Sequence, residues 1–102
     1  MKTIKVTYTV KSEFAQTNYK NVKAFIDDLA KINHPSLRYM AFLGKDGKTF
    51  NHLAAYKNDD AQKVLFDLTS FKFFQKQRDE SGLEVAPQIE EIELVGASFD
   101  FF

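Results

Sequence analysis

Residues 3–10 alternate apolar side chains with threonine and lysine: Ile4, Val6, Tyr8 and Val10 share one parity, and Thr3, Lys5, Thr7 and Thr9 the other. A period of two with β-branched residues predicts a strand. From Asn18 the period changes, and Tyr19, Val22, Phe25, Ile26, Leu29 and Ile32 recur at steps of three and four, the stripe of an amphipathic helix. His34 and Pro35 end it, because the residue before proline avoids the helical region. Residues 37–43 and 50–56 are two further strands, joined by a turn in which Asp46 and Gly47 give the backbone freedom a hairpin needs. Asn58, Asp59 and Asp60 open a second helix as cap and dipole-matched acids, with Ala61, Val64, Leu65 and Leu68 on one face. Thr69 and Ser70 look like a fresh cap, so this helix is expected to break and restart through Phe71 and Phe74 as far as Gly82. Pro87 closes a loop, residues 89–95 give the last strand, and the tail ends Phe99, Asp100, Phe101, Phe102.

Strand, helix, strand, strand, helix, strand is the ferredoxin-like βαββαβ order of an α+β fold, with an antiparallel sheet and both helices on one face. Residues 1–102 are expected to form a single domain, since the length suits one core. The sheet's second face should then be polar at alternate positions, and it is not. Tyr39, Ala41 and Leu43 alternate with Met40 and Phe42, while Phe50, Ala54 and Tyr56 alternate with Leu53 and Ala55. Both faces need cover, and so do the three phenylalanines of the tail. A second copy of the chain is the economical cover, so a homodimer is expected.

Composition narrows the function classes. Fourteen basic and fourteen acidic residues leave no net charge, which removes the broad attraction that nucleic-acid binders and anionic-membrane binders use. The same topology hosts RNA-recognition domains, but around Tyr8, Lys48, Phe50 and His52 the required glycines and closing aromatic are replaced by Thr49, Asn51 and Ala55. No nucleic-acid partner is expected. The longest apolar run, residues 39–43, is too short for a bilayer, so no membrane partner is expected either. Cysteine is absent, which excludes a disulfide, a thiolate nucleophile and a cysteine-held metal, and with no signal-peptide pattern a cytoplasmic location is expected. Eleven phenylalanines without a tryptophan point to an aromatic core, pocket or interface.

Few residues are equipped for proton chemistry. His34 precedes Pro35 and reads as a helix-end residue. His52 lies mid-strand on the face of Phe50, Ala54 and Tyr56, where an imidazole and a phenol point into one space with the small Ala54 between them. His52 and Tyr56 are the catalytic candidates; the competing reading is a half-buried histidine bonded to a neighbouring strand or a second subunit. Two histidines eighteen positions apart with no carboxylate at ligand spacing form no metal site. The serines sit in cap and loop contexts, and no glycine loop suits a phosphate.

The run Phe50, Asn51, His52, Leu53, Ala54, Ala55, Tyr56, Lys57, Asn58, Asp59, Asp60, Ala61, followed by Thr69, Ser70, Phe71, Lys72, Phe73, Phe74, resembles the antibiotic biosynthesis monooxygenase domains of the dimeric α+β barrel group. The resemblance implies a dimeric α+β barrel and, in several members, oxidation of aromatic compounds without any cofactor. An acidic, electron-rich substrate reacts with oxygen itself, so the protein needs an apolar pocket and a few groups that deprotonate and orient it. The resemblance adds Asn51, Arg38, Phe50 and Phe74 as substrate-binding candidates beside His52 and Tyr56. Members often carry a histidine four residues after the alanine that opens the second helix; here Leu65 stands there. The haem-degrading branch relies on that helix and on a tryptophan, and the chain has none. Two readings stand: a cofactor-free oxygenase acting on a small aromatic or enolic compound, or a non-catalytic homodimer that binds such a molecule or serves a stress response.

Overall fold

The computed structural model describes residues 1–102. Strand β1 (Lys2–Thr9) runs through a single 3-10 turn (Ser12–Phe14) into helix α1 (Ala15–Ile32). The hairpin β2 (Leu37–Leu43) and β3 (Thr49–Tyr56) follows, then helices α2 (Asp59–Asp67) and α3 (Thr69–Glu80) and strand β4 (Val85–Ile92). The sheet order is β2-β3-β1-β4 with every pairing antiparallel, which is the expected ferredoxin-like α+β arrangement.

Local chemistry explains most element ends. Helix α1 stops where Asn33 takes a left-handed conformation (φ 49°) and its N–H returns to the Leu29 carbonyl at 2.9 Å. Asn58 caps α2 as expected, its Oδ1 accepting from the Ala61 N–H at 3.1 Å. The break between α2 and α3 falls at Leu68, whose extended backbone serves as the cap of α3; neither Thr69 nor Ser70 supplies a capping bond, and the Ser70 hydroxyl is buried without a partner. Strand β4 lies four residues earlier than its expected start at Ile89. Thr7 faces Gln88 but Thr9 faces Val85, so β4 carries an extra residue at this bulge, next to Pro87. An edge strand with a bulge tolerates a residue that donates no N–H, and Pro87 therefore sits inside the strand rather than closing a loop.

One face of the sheet packs on the helices. Tyr8 of β1, Phe50, Ala54 and Tyr56 of β3 and Leu37 of β2 join Val22, Phe25 and Leu29 of α1, Ala61 and Leu65 of α2, and Phe71 and Phe74 of α3. Phe25 is fully buried and meets Phe71 and Tyr39 edge-on at centroid distances of 5.1 and 5.2 Å. Burial of such a ring contributes about 2–3 kcal/mol.

The opposite face is partly covered by the chain's own tail. Arg38 Nε donates to the Phe101 carbonyl at 2.7 Å, its guanidinium lies 5.2 Å from the Phe102 ring centre, and Phe101 lines one shallow pocket with Met40, Leu53 and Ala55. Met40, Phe42 and Phe99 nevertheless stay exposed. No helix is long and apolar enough to cross a membrane.

Candidate functional site

Between the sheet and helices α2 and α3 lies a cavity of about 310 Å³, small for a ligand pocket. Its walls are apolar: Ile4, Val6, Leu65, Phe66, Phe71, Phe74 and Ile89. Its polar groups are few: Lys2, Tyr39, His52 and Tyr56 from the sheet, and Gln62, Gln75 and Arg78 from the helices.

His52 is the centre of a hydrogen-bonded chain. In the strand registers Val6 and Ala41 stand directly opposite it, and both are small enough to leave the diagonal neighbours, Tyr8 on β1 and Tyr39 on β2, within reach. Tyr39 Oη lies 2.6 Å from His52 Nδ1, and Tyr8 Oη lies 2.9 Å from His52 Nε2. Asn18 Nδ2 donates in turn to Tyr8 Oη at 2.9 Å. Asn18, Tyr8 and His52 are all buried, and Phe25 and Phe74 stack on the imidazole with interplanar angles near 20°. Both ring nitrogens are occupied, so the imidazole itself has no atom left for a ligand.

Electrostatics agree with that geometry. Burial, with the Arg78 charge adding to it, pushes His52 down to about 3, so the ring is neutral at physiological pH. Burial likewise holds the Tyr39 and Tyr8 phenols well above their ordinary range and raises Tyr56 to about 12. All three phenols are therefore protonated donors at pH 7. Arg78 and the exposed Lys2 are the two fixed charges in the cavity wall. The Arg78 guanidinium carbon stands 5.2 Å from the ring centres of both Tyr8 and Phe74, and only Nε is bonded to the protein, at 3.0 Å to Asp79 Oδ1. The terminal guanidinium nitrogens are free to meet an anionic oxygen. No three His, Asp or Glu side chains are grouped to hold a metal ion.

The sequence candidates divide between the two sheet faces. His52, Tyr56 and Phe74 do line one cavity. Phe50 does not; it is buried beside it, stacked on Tyr8 at 5.6 Å. Asn51 and Arg38 lie on the far face, because strand parity sends them away from His52: Asn51 accepts from the Thr7 hydroxyl at 2.8 Å and Arg38 holds the tail. Leu65, the position the resemblance singled out, is a buried wall of the cavity. His34 is a loop residue whose Nδ1 accepts from the Ser36 N–H. Four residues of the site escaped the sequence reading: Tyr8, Asn18, Tyr39 and Arg78. For Asn18 a signal existed, since it is a polar residue in the 18, 22, 25, 29 stripe that faces the core.

No family model matches the chain, and no curated protein matches it. Solved structures do. A candidate antibiotic biosynthesis monooxygenase from B. thetaiotaomicron VPI-5482 superposes with a TM-score of 0.82 at 12% identity, over 99% of this chain and 95% of that one. One from Caulobacter crescentus CB15 gives 0.76 at 22% identity, over 93% and 90%. One from Nitrosomonas europaea gives 0.76 at 12% identity, over 94% and 100%. At these identities the likeness is one of fold, and it extends over nearly the whole chain. The chain therefore has the ferredoxin-like α+β fold of the structures named as antibiotic biosynthesis monooxygenases.

Proposed function

We propose that the chain is a homodimer whose cavity takes a small aromatic or enolic compound and that it promotes oxidation of that compound by dioxygen without a cofactor. The observation that carries this reading is the placement of Arg78 and the Tyr39 hydroxyl among the mostly apolar walls of the pocket. A cation and a neutral donor in a low-dielectric cavity favour the anionic form of an acidic phenol or enol, and that electron-rich anion is the species that reacts with oxygen. In the balanced reaction a methylene activated by its neighbours becomes a carbonyl. One oxygen atom stays on that carbon, the other leaves with both methylene hydrogens as water, and the substrate supplies all the electrons. The names of the structural neighbours support the oxygenase class. The apolar face bearing Met40 and Phe42, more than a third exposed in each case, supports the homodimer.

A second reading, non-catalytic binding of the same kind of molecule, is favoured by one feature: His52, the obvious base, is engaged at both nitrogens and held far below its ordinary basicity. An oxygen electrode separates the two. The oxygenase reading expects saturable uptake of one dioxygen per molecule of an activated cyclic ketone or hydroxyarene, lost in Arg78→Met. Saturable binding with no uptake above the protein-free rate would establish the binding reading instead. For the dimer, sedimentation should give two subunits, and Phe42→Glu should give one; a monomeric wild-type chain would sink it.

A further inference from the structure

We infer that the chain Asn18–Tyr8–His52–Tyr39 has a fixed polarity that makes Tyr39 a dedicated hydrogen-bond donor to the cavity, so that the ligand must present an acceptor, a carbonyl or an oxyanion, at that point. The inference deepens the ligand site proposed above and rests on it.

The polarity follows from counting protons. A neutral imidazole has one N–H and one bare nitrogen, and here each faces a tyrosine hydroxyl. Only two arrangements satisfy both. In the first, Asn18 donates to Tyr8, Tyr8 donates to His52 Nε2, and His52 Nδ1–H donates to Tyr39. In the second every bond runs the other way, and the Asn18 amide must turn so that Oδ1 accepts from Tyr8.

The buried amide decides between them. With Nδ2 toward Tyr8, one N–H and the carbonyl Oδ1 of Asn18 are left without partners. Turned round, two N–H groups would be. Orphaned N–H groups are rarer in protein interiors than under-satisfied carbonyls, so the first polarity is the cheaper one. It satisfies the Tyr8 hydroxyl and both imidazole nitrogens, and the single proton left over belongs to Tyr39. That residue lines the cavity, and its hydroxyl has no other protein partner. The ring cannot rotate the role away, because Nδ1–H occupies its oxygen from behind. His52, Tyr8 and Asn18 are thus positioning residues, and Tyr39 is the group that meets the ligand.

The ligand-free protein supplies the first test. Nitrogen NMR of ¹⁵N-histidine protein should find His52 as the Nδ1–H tautomer, with a pyridine-type Nε2. An Nε2–H wild-type ring would overturn the polarity whatever the turnover assays show. The second test uses 1-tetralone, whose carbonyl only accepts, and tetralin, the same skeleton without oxygen. The wild type should prefer the ketone about tenfold, and Tyr39→Phe should erase the preference. Equal affinities in the wild type, or a preference that survives the substitution, would overturn the ligand class. Oxygen uptake plays no part in either measurement, so failure here and failure of the oxygenase reading are separable.

Discussion

Tyr39 and His52 sit on neighbouring strands, offset by two residues in register, with the Tyr39 hydroxyl 2.6 Å from Nδ1 of the imidazole. Tyr8 approaches the other nitrogen from the opposite strand by the same two-residue offset. The histidine is clamped between two phenols, and its role follows from that clamp: it orders hydroxyls rather than exchanging protons with solvent.

Removing the clamp should be costly to stability. His52→Ala leaves the buried Tyr8 hydroxyl and the half-buried Tyr39 hydroxyl with a lost partner each and opens a void beneath Phe25 and Phe74. Each orphaned group costs roughly 1–3 kcal/mol, so a total loss of about 3–5 kcal/mol is expected from urea unfolding. A shift below about 0.5 kcal/mol, the size usual for surface sites, would contradict the clamped geometry.

The depressed basicity of His52 has a definite sign in the pH dependence. Above the ordinary histidine value of 6.5 the ring is neutral in folded and unfolded chains, and its burial carries no penalty linked to protonation. Between 6.5 and about 3 the unfolded chain binds a proton that the folded chain does not. Stability should therefore fall as pH is lowered through that window, by up to about 1.4 kcal/mol per pH unit from this group. Carboxylates contribute as well, so the quantity to follow is the difference between wild type and His52→Gln across pH 7 to pH 4. A constant difference would show that His52 titrates normally.

Arg78 should reveal itself through ligand charge. 4-Nitrophenol reports its ionisation by colour, and a cavity wall bearing a guanidinium with free terminal nitrogens should lower the apparent pKa of the bound phenol. Arg78→Met keeps a long apolar side chain against Tyr8 and Phe74 and should weaken phenolate binding about tenfold or more, a change of about 1.4 kcal/mol. Unchanged phenolate affinity would remove Arg78 from the site.

Much of the fold was legible in sequence because it rests on local periodicity. The alternation in β1, the Val22, Phe25 and Leu29 part of the α1 stripe and the Asn58 cap are each set by a few neighbouring residues and stand where that chemistry puts them, while Tyr19 and Ile32 of the expected stripe are exposed. The bounds of β4 were hidden because Pro87 reads as a loop signal unless the strand is known to lie at an edge with a bulge. The site was half legible for a related reason. Parity within one strand places His52 and Tyr56 on one face. Partners on other strands depend on register, and only the register shows that Tyr8 and Tyr39 are the diagonal neighbours of His52. The same parity sends Asn51 and Arg38 to the far face, an outcome available from the sequence but obscured by their closeness to His52 along the chain and to the motif. Arg78 reaches the cavity from α3, and no local pattern marks a charge that stacks on a core tyrosine.

Where a ligand sits is the claim on which the rest depends, and methyl NMR locates it most directly. Protein labelled at leucine, isoleucine and methionine methyls is titrated with 1-tetralone. The cavity account predicts saturable shifts at Leu65, Ile4 and Ile89, which line the pocket, with Met40 and Leu53 on the opposite sheet face unmoved. Shifts confined to Met40 and Leu53 would place the ligand under the tail and contradict the site built around Tyr39 and Arg78.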